Sequence, residues 1–285
     1  MRKCTWIAWR IFPFKKIFRM DLVVFLFGTC IGSFLNVCID RWPKRQSVLH
    51  PRSHCLHCGK PIPFYQNIPI VTWLWLKGKT SCCGKPIPVR YVLSEIFLGF
   101  MAVWMDPFRS NQTLPYFVFF CLLWVAFFSD LETFLLPDEV TLGGIGLGIL
   151  CSLWYPQMHA TTSVWESLQA SLQGACWGIG GLFLFASIAE WIMQKEAMGL
   201  GDVKLLGCIG AFWGAQSCLW SLFLGAFVGT IWIGILFLRS KILSNPSPVS
   251  LHQKIAFGPF LSIGAFVYTL ILHNFPAYFS FSYVE

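Results

Sequence analysis

Long uncharged apolar runs alternate with short polar stretches along this 285-residue chain. A helix needs about 20 apolar residues to cross a bilayer, and residues 22–39 form the first such run. Further runs occupy about 91–105, 113–129, 140–155, 167–189, 205–238 and 255–278. The 205–238 stretch is too long for one ordinary span, and Trp213-Gly214-Ala215-Gln216-Ser217 supplies its turn. The pattern predicts an all-α polytopic membrane protein of about eight transmembrane helices, two of them short or tilted. Between the first two runs, residues 40–90 are rich in Lys, Arg, Pro, Cys and His. They predict a small Cys-rich cytoplasmic domain inserted after a first helix at 20–39, with residues 91–285 forming a membrane-embedded unit.

Composition narrows the class. Hydrophobic residues make up 56% of the chain and charged residues 12%, against about 25% charged in an average globular domain. So much apolar surface cannot be hidden in an aqueous core. Disorder, a secreted disulfide scaffold and a cytosolic α/β enzyme are excluded. The formal net charge of +8 would hint at nucleic acid in a soluble protein, but here it reports orientation, because Lys and Arg collect in cytoplasmic loops. With 40–90 inside, the inside loops carry fourteen Lys and Arg, and the outside loops after the first span carry Arg109. Six more precede the first span and oppose the rule: Arg2, Lys3, Arg10, Lys15, Lys16 and Arg19. In residues 1–19 these basic positions are interspersed with Trp6, Ile7, Trp9, Ile11, Phe12, Phe14 and Phe18. That extension is either an interfacial anchor or untranslated sequence before a start at Met20.

Carboxylates mark the chemistry. Asp130 directly follows an uncharged run, within Ser129-Asp130-Leu131-Glu132-Thr133-Phe134-Leu135-Leu136-Pro137-Asp138. Pro137 typically starts a helix, so Asp138 and Glu139 read as capping residues of the next span. A second site is Gly199-Leu200-Gly201-Asp202-Val203-Lys204, whose glycines permit unusual backbone angles and close approach of another backbone. Ionisable groups at membrane depth are costly and usually functional. Two carboxylates brought together share a proton, so one Asp can act as base on a water while the other donates to a carbonyl oxygen. That is aspartyl-protease chemistry. Helix capping is the competing role for Asp130 and Asp202 as well.

Of 12 cysteines, several sit inside apolar runs and read as small buried hydrophobes. Cys55, Cys58, Cys82 and Cys83 share the polar region. Cys55-Leu56-His57-Cys58-Gly59-Lys60-Pro61-Ile62 and Cys82-Cys83-Gly84-Lys85-Pro86-Ile87 repeat Cys-Gly-Lys-Pro-Ile, which suggests two equivalent knuckles. Paired cysteines about two dozen residues apart have structural-zinc spacing. The second knuckle departs from it: Thr80 stands where a Cys-x-x-Cys pair needs its first cysteine, and adjacent cysteines chelate one tetrahedral ion awkwardly. Cys55, Cys58 and Cys83 supply three ligands, with Cys82, His57 or His54 open as the fourth. Reduced thiols without metal are the alternative.

Taken together, these residues resemble the bacterial type IV prepilin leader peptidases, inner-membrane aspartyl proteases of the Gly-x-Gly-Asp class that are also N-methyltransferases. The resemblance runs from about Gly28 to Phe266. It is carried by Gly32-Ser33-Phe34-Leu35-Asn36-Val37 with Arg41 and Pro43, and by Cys55-Leu56-His57-Cys58-Gly59. Asn67-Ile68-Pro69, Lys77-Gly78-Lys79 and Arg90-Tyr91 with Glu95 follow. The two aspartate motifs and Phe257-Gly258-Pro259-Phe260 with Gly264-Ala265 complete it. It implies catalytic Asp130 and Asp202, supported by Gly199, Gly201, Lys204 and Asp138. It implies prepilin and pseudopilin substrates, cut after a glycine at the cytoplasmic face, and S-adenosylmethionine as methyl donor near Gly78 and Lys79. No Gly-rich dinucleotide fingerprint for that donor is present. Membrane lipid is the other expected partner, and nucleic acid is not one. Three rivals stand beside this reading: a proton-coupled transporter, a pilin-assembly chaperone without catalysis, and a peptidase that has lost methyl transfer.

Overall fold

A computed structural model describes residues 20–55, 57–105, 113–194, 198–242 and 256–274. The extension at 1–19, Arg109 and most of the 239–254 loop lie outside the described residues.

The chain folds into helices α1 (Met20–Arg41), α2 (Val71–Trp75), α3 (Val89–Met105), α4 (Leu114–Thr133) and α5 (Asp138–Trp154). They are followed by α6 (Val164–Met193), α7 (Leu200–Trp213), α8 (Ala215–Ile242) and α9 (Gly258–Asn274). No strand forms among the described residues. Each long apolar run became one helix, and 205–238 divides as expected: Gly214 adopts φ 77°, a backbone angle that suits glycine, and ends α7. Four described helices are long and apolar enough to cross a membrane, at Met20–Lys44, Leu114–Thr133, Val164–Met193 and Ala215–Arg239. The protein is an all-helical membrane protein. The short α2 was not legible as a helix.

Close backbone contact sets the helix heights. Along α1 and α3, a Cβ on Gly28 would meet the Leu98 carbonyl at 2.5 Å, and one on Gly32 the Ser94 carbonyl at 2.7 Å. Between α6 and α7 the fit is tighter, with Gly174 and Gly210 each placing a virtual Cβ about 2 Å from the other's carbonyl oxygen. Gly264 of α9 does the same against Ser221 of α8 at 2.2 Å. All three pairs run antiparallel. Small residues let helix backbones approach where lipid offers no hydrophobic drive to associate. Aromatic rings fill the wider gaps. Phe97 stacks on Trp124 at 4.2 Å between centroids, Phe120 meets Phe266, and Phe119 meets Phe212.

Buried charge joins the first helices to the fourth. Arg90, near the start of α3, contacts Asp40 of α1 at 2.6 Å and Glu132 of α4 at 2.9 Å. The Tyr91 hydroxyl donates to the other Asp40 oxygen. Arg90 is buried, so one guanidinium compensates two carboxylates from different helices.

The α6/α7 contact yields a stability prediction. Overpacking a close contact costs about 1–3 kcal/mol, and Gly210→Ala is expected at the upper end, about 3 kcal/mol. Gly180→Ala, on the same pair of helices but with nothing within 4 Å of its added Cβ, serves as control. Thermal unfolding in detergent checks both. Equal midpoints for the two variants would contradict the packing account.

Candidate active site

Helix α4 carries no charge until its last turn, where Ser129 and Asp130 are buried. Phe134 closes the helix in the left-handed conformation, its N–H donating to the Asp130 carbonyl at 2.9 Å. The chain then reaches α5 within four residues. The Asp130 carboxylate finds its partner 128 residues away: the Gly258 N–H at the start of α9 donates to Oδ2 at 2.9 Å. The first N–H groups of a helix have no partner within it and carry partial positive charge, so α9 offers Asp130 a donor without a cation. A Cβ on residue 258 would lie 2.6 Å from Oδ2. A side chain there would press on the carboxylate and shift it from this hydrogen bond.

Asp202 sits in the first turn of α7 and is also buried. The Asp130 carboxylate lies within electrostatic range of it, and its Oδ1 has no hydrogen-bond partner among the described residues. The sequence-predicted pair is thus brought to one end of the bundle. No Lys or Arg among the described residues forms an ion pair with either.

Asp138 has a different environment. It is the first residue of α5, whose N-cap is Pro137, and the helix has no side-chain cap. The expected capping role is not observed. Instead Asp138 Oδ1 pairs with Lys204 Nζ at 2.6 Å, in an exposed bridge that ties the two aspartate motifs together. The glycines also differ from expectation. Gly199 has ordinary extended angles (φ −72°, ψ 137°), and neither it nor Gly201 takes a positive φ. Gly201 does serve close approach, with its virtual Cβ 3.1 Å from Leu136 of the α4–α5 loop.

Sequence reading gave Gly258 and Arg90 no role at this site. Gly258 had a signal, since a Gly-Pro pair opening a helix leaves a free backbone N–H. Arg90 had none beyond membership of a motif, because its partners Asp40 and Glu132 are fixed by topology.

A second cluster lies in the α1–α3 segment. The sulfurs of Cys55, Cys58, Cys82 and Cys83 all fall within 4.8 Å of one another. Cys55 and Cys83 are 3.8 Å apart and Cys58 and Cys82 3.3 Å. Tetrahedral zinc with Zn–S bonds of about 2.3 Å places its sulfurs about 3.8 Å apart, so these donors fit a structural zinc ion. His54 and His57 do not join the cluster.

The two knuckles are equivalent, with Thr80 in the place of Cys55. Cys55 N–H donates to Lys60 O and Gly59 N–H to Cys55 O; Thr80 N–H donates to Lys85 O and Gly84 N–H to Thr80 O. Isolated bridges His54–Pro61 and Lys79–Pro86 close the turns. Adjacent Cys82, in the place of His57, completes the cluster. Backbone N–H groups of His57 and Cys58 draw the Cys55 thiol down to about 6. The Thr80 hydroxyl, and then the Lys85 N–H, lower that of Cys83. The sulfur of Cys58 beside it pushes Cys82 up to about 12. Thiolates this close repel one another, and a divalent cation would relieve that conflict.

Gly78 and Lys79 lie at the entry to the second knuckle. Gly78 (φ 69°) faces the Trp73 ring, with its virtual Cβ 3.1 Å away. The buried Trp73 Nε1–H has no acceptor among the described residues.

Comparison with known proteins agrees with this layout. Residues 26–106 match the bacterial peptidase A24 N-terminal domain, and residues 117–234 match the type IV leader peptidase family. A prepilin leader peptidase/N-methyltransferase of Myxococcus xanthus is 35% identical over 235 residues, covering 82% of this chain and 67% of that protein. The protein of the same name from Aeromonas hydrophila is 34% identical, covering 86% and 88%. That from Pectobacterium carotovorum subsp. carotovorum is 32% identical, covering 87% and 91%. No solved structure matches the chain. With two buried aspartates within electrostatic range of each other, and relatives matched along most of their length, the chain belongs to the type IV leader peptidase family.

Proposed function

We propose that the chain is a bifunctional processing enzyme of the bacterial inner membrane. It cleaves the leader of type IV prepilins and type II secretion pseudopilins, and N-methylates the new N-terminal residue. The observation that carries this reading is that Asp130 and Asp202, both buried, lie within electrostatic range of each other and have no ion-pair partner among the described residues, while neighbouring Asp138 is neutralised by Lys204. In this reading eight helices cross the membrane (α1 and α3 to α9), with 40–90 on the cytoplasmic side and 91–285 as the peptidase unit.

The chemistry follows from two carboxylates sharing one proton. The ionised member takes a proton from water, and the water oxygen attacks the scissile carbonyl carbon. The protonated member donates to the carbonyl oxygen. When the C–N bond breaks, the amine takes up a proton and the leader leaves with the new carboxylate. The Gly258 N–H orients Asp130, and Gly201 and the Lys204–Asp138 bridge hold the second motif against the first. A transporter would also use paired aspartates, but the relatives' names and the fused Cys-rich segment favour processing.

S-adenosylmethionine supplies an electrophilic methyl group, and the amine freed by cleavage is the nucleophile. Gly78, Lys79 and the Trp73 Nε1–H, which has no acceptor among the described residues, form the region that would hold that donor. Cys55, Cys58, Cys82 and Cys83 would hold a zinc ion. Bound there, it would have a structural role, joining two knuckles in a segment with little apolar core.

Three outcomes are expected. Asp130→Asn and Asp202→Asn each lower prepilin cleavage by at least about a thousandfold, in the range of lost general acid–base catalysis. Asp138→Asn stays within about tenfold, since it loses a surface ion pair. Gel and mass analysis of a co-expressed prepilin reads the result; an inactive Asp138→Asn beside an active Asp130→Asn would show that the wrong carboxylate was assigned.

The same mass analysis should show the mature pilin carrying one added methyl group. Cleaved but unmethylated product would leave a peptidase alone.

Elemental analysis should find about one zinc per chain. Cys82→Ser should lose it, and the double variant Cys82→Ser/Thr80→Cys should regain it by restoring the second Cys-x-x-Cys. Retention of zinc by Cys82→Ser would remove Cys82 from the ligand set.

A further inference from the structure

The segment between α1 and α3 leaves large apolar side chains uncovered. Phe64 is 88% exposed, Trp75 72% and Leu74 61%, with Val71 and Ile68 about half exposed. Val71, Leu74 and Trp75 fall at i, i+3 and i+4 of α2, hence on one face, while Thr72 between them is buried. An aqueous domain rarely shows such a face without something to cover it.

The depth of α2 is fixed. The Ile70 N–H immediately before it donates to Glu95 Oε2 at 2.7 Å. Ile70 is held at φ 61°, a strained angle for a β-branched residue, so its position is over-determined by its surroundings. Glu95 lies five residues beyond Arg90 on α3, about 8 Å farther into the bundle at 1.5 Å per residue. Its neighbour across the helix pair is Gly32, whose virtual Cβ is 2.8 Å from the Glu95 Cα, well inside the span at Met20–Lys44. Side chains lean toward the helix N-terminus. The Glu95 carboxylate therefore holds the start of α2 at or just below the level of the Asp40–Arg90 pair, where the helices leave the apolar layer. On α1 and α3 themselves, Leu26, Phe34 and Leu93 are also about half exposed.

Charge identifies the occupant. Residues 42–88 contain Lys44, Arg45, Arg52, Lys60, Lys77, Lys79 and Lys85, and no Asp or Glu. An apolar face carrying Trp beside an all-cationic polar set is the composition of an element lying in the boundary of an anionic bilayer.

We propose that the Phe64–Trp75 stretch is seated in the membrane interface. On this proposal α2 lies under the headgroups of anionic phospholipid, and the lysines of the knuckles contact those headgroups. The proposal rests on α1 and α3 spanning the bilayer, and not on the peptidase reading. Segment 40–90 is then partly membrane-embedded, in contrast to the fully soluble domain that its composition suggests.

The test uses full-length protein in nanodiscs of mixed phosphatidylglycerol and phosphatidylcholine, with a benzophenone amino acid at Leu74 or, in a second variant, Ile68. The same probe at Leu26 of α1 serves as lipid-facing reference, and at exposed Thr162 of the α5–α6 loop as water-facing reference. Irradiation and mass spectrometry should give lipid adducts at Leu74 and Ile68 close to the Leu26 yield and about tenfold above Thr162, enriched in phosphatidylglycerol over its bulk share. Yields no higher than at Thr162, with Leu26 still labelled, would overturn the proposal. So would adducts mainly to added prepilin or to a second copy of the chain. Adducts in bulk lipid proportion would overturn the anionic assignment. Cleavage activity of the same samples reports separately on the peptidase reading.

Discussion

The hydrogen bond from Gly258 N–H to Asp130 fixes how the end of this bundle is built. A buried carboxylate needs a partner, and two kinds are available: a cation, or a backbone donor. Cations serve three carboxylates here, Asp138 through Lys204 and Asp40 with Glu132 through Arg90. Each is thereby held as an ion pair. Asp130 receives a helix N-terminus instead, which stabilises negative charge without closing off the second oxygen. Two demands follow. The last helix must run antiparallel to α4, so that its first N–H meets the end of α4, and residue 258 must leave room for the carboxylate it holds.

Helix heights matter as much as helix order. Asp130 ends one helix and Asp202 begins another, so a shift of one turn, 5.4 Å, would separate them. The glycine contacts guard against that shift. Gly174 and Gly210 lock α6 to α7, and Gly264 locks α9 to α8. A substitution there acts on the aspartates through helix position, far from the chemistry.

The helices were legible because each is a long apolar run, and α7 was separable from α8 because Gly214 interrupts a stretch too long for one span. The aspartates were legible because Asp130 is the first charge after an uncharged helix. Partner choice was hidden. Lys204 meets Asp138 across 66 residues and Gly258 meets Asp130 across 128, and local pattern carries no record of such pairings. The cysteine cluster was half legible. The repeated Cys-Gly-Lys-Pro-Ile gave the two turns, but adjacency in sequence argued against Cys82, and only the folded knuckles show its sulfur beside that of Cys58. Helix α2 was hidden because five residues are too few for a helical period to stand out.

Arg90 explains why the two matched regions work as one body. It belongs to the N-terminal region, yet it compensates Glu132, two residues past Asp130. Taking Arg90 away leaves Asp40 and Glu132 without their shared cation. The N-terminal region therefore braces the helix that carries Asp130, as well as carrying the cysteine cluster. The same helix, α3, also holds α2 through Glu95. One helix thus ties the aspartate end of the bundle, the Cys-rich segment and the apolar face of α2 together, so that none of the three can move relative to the others without breaking a buried polar contact.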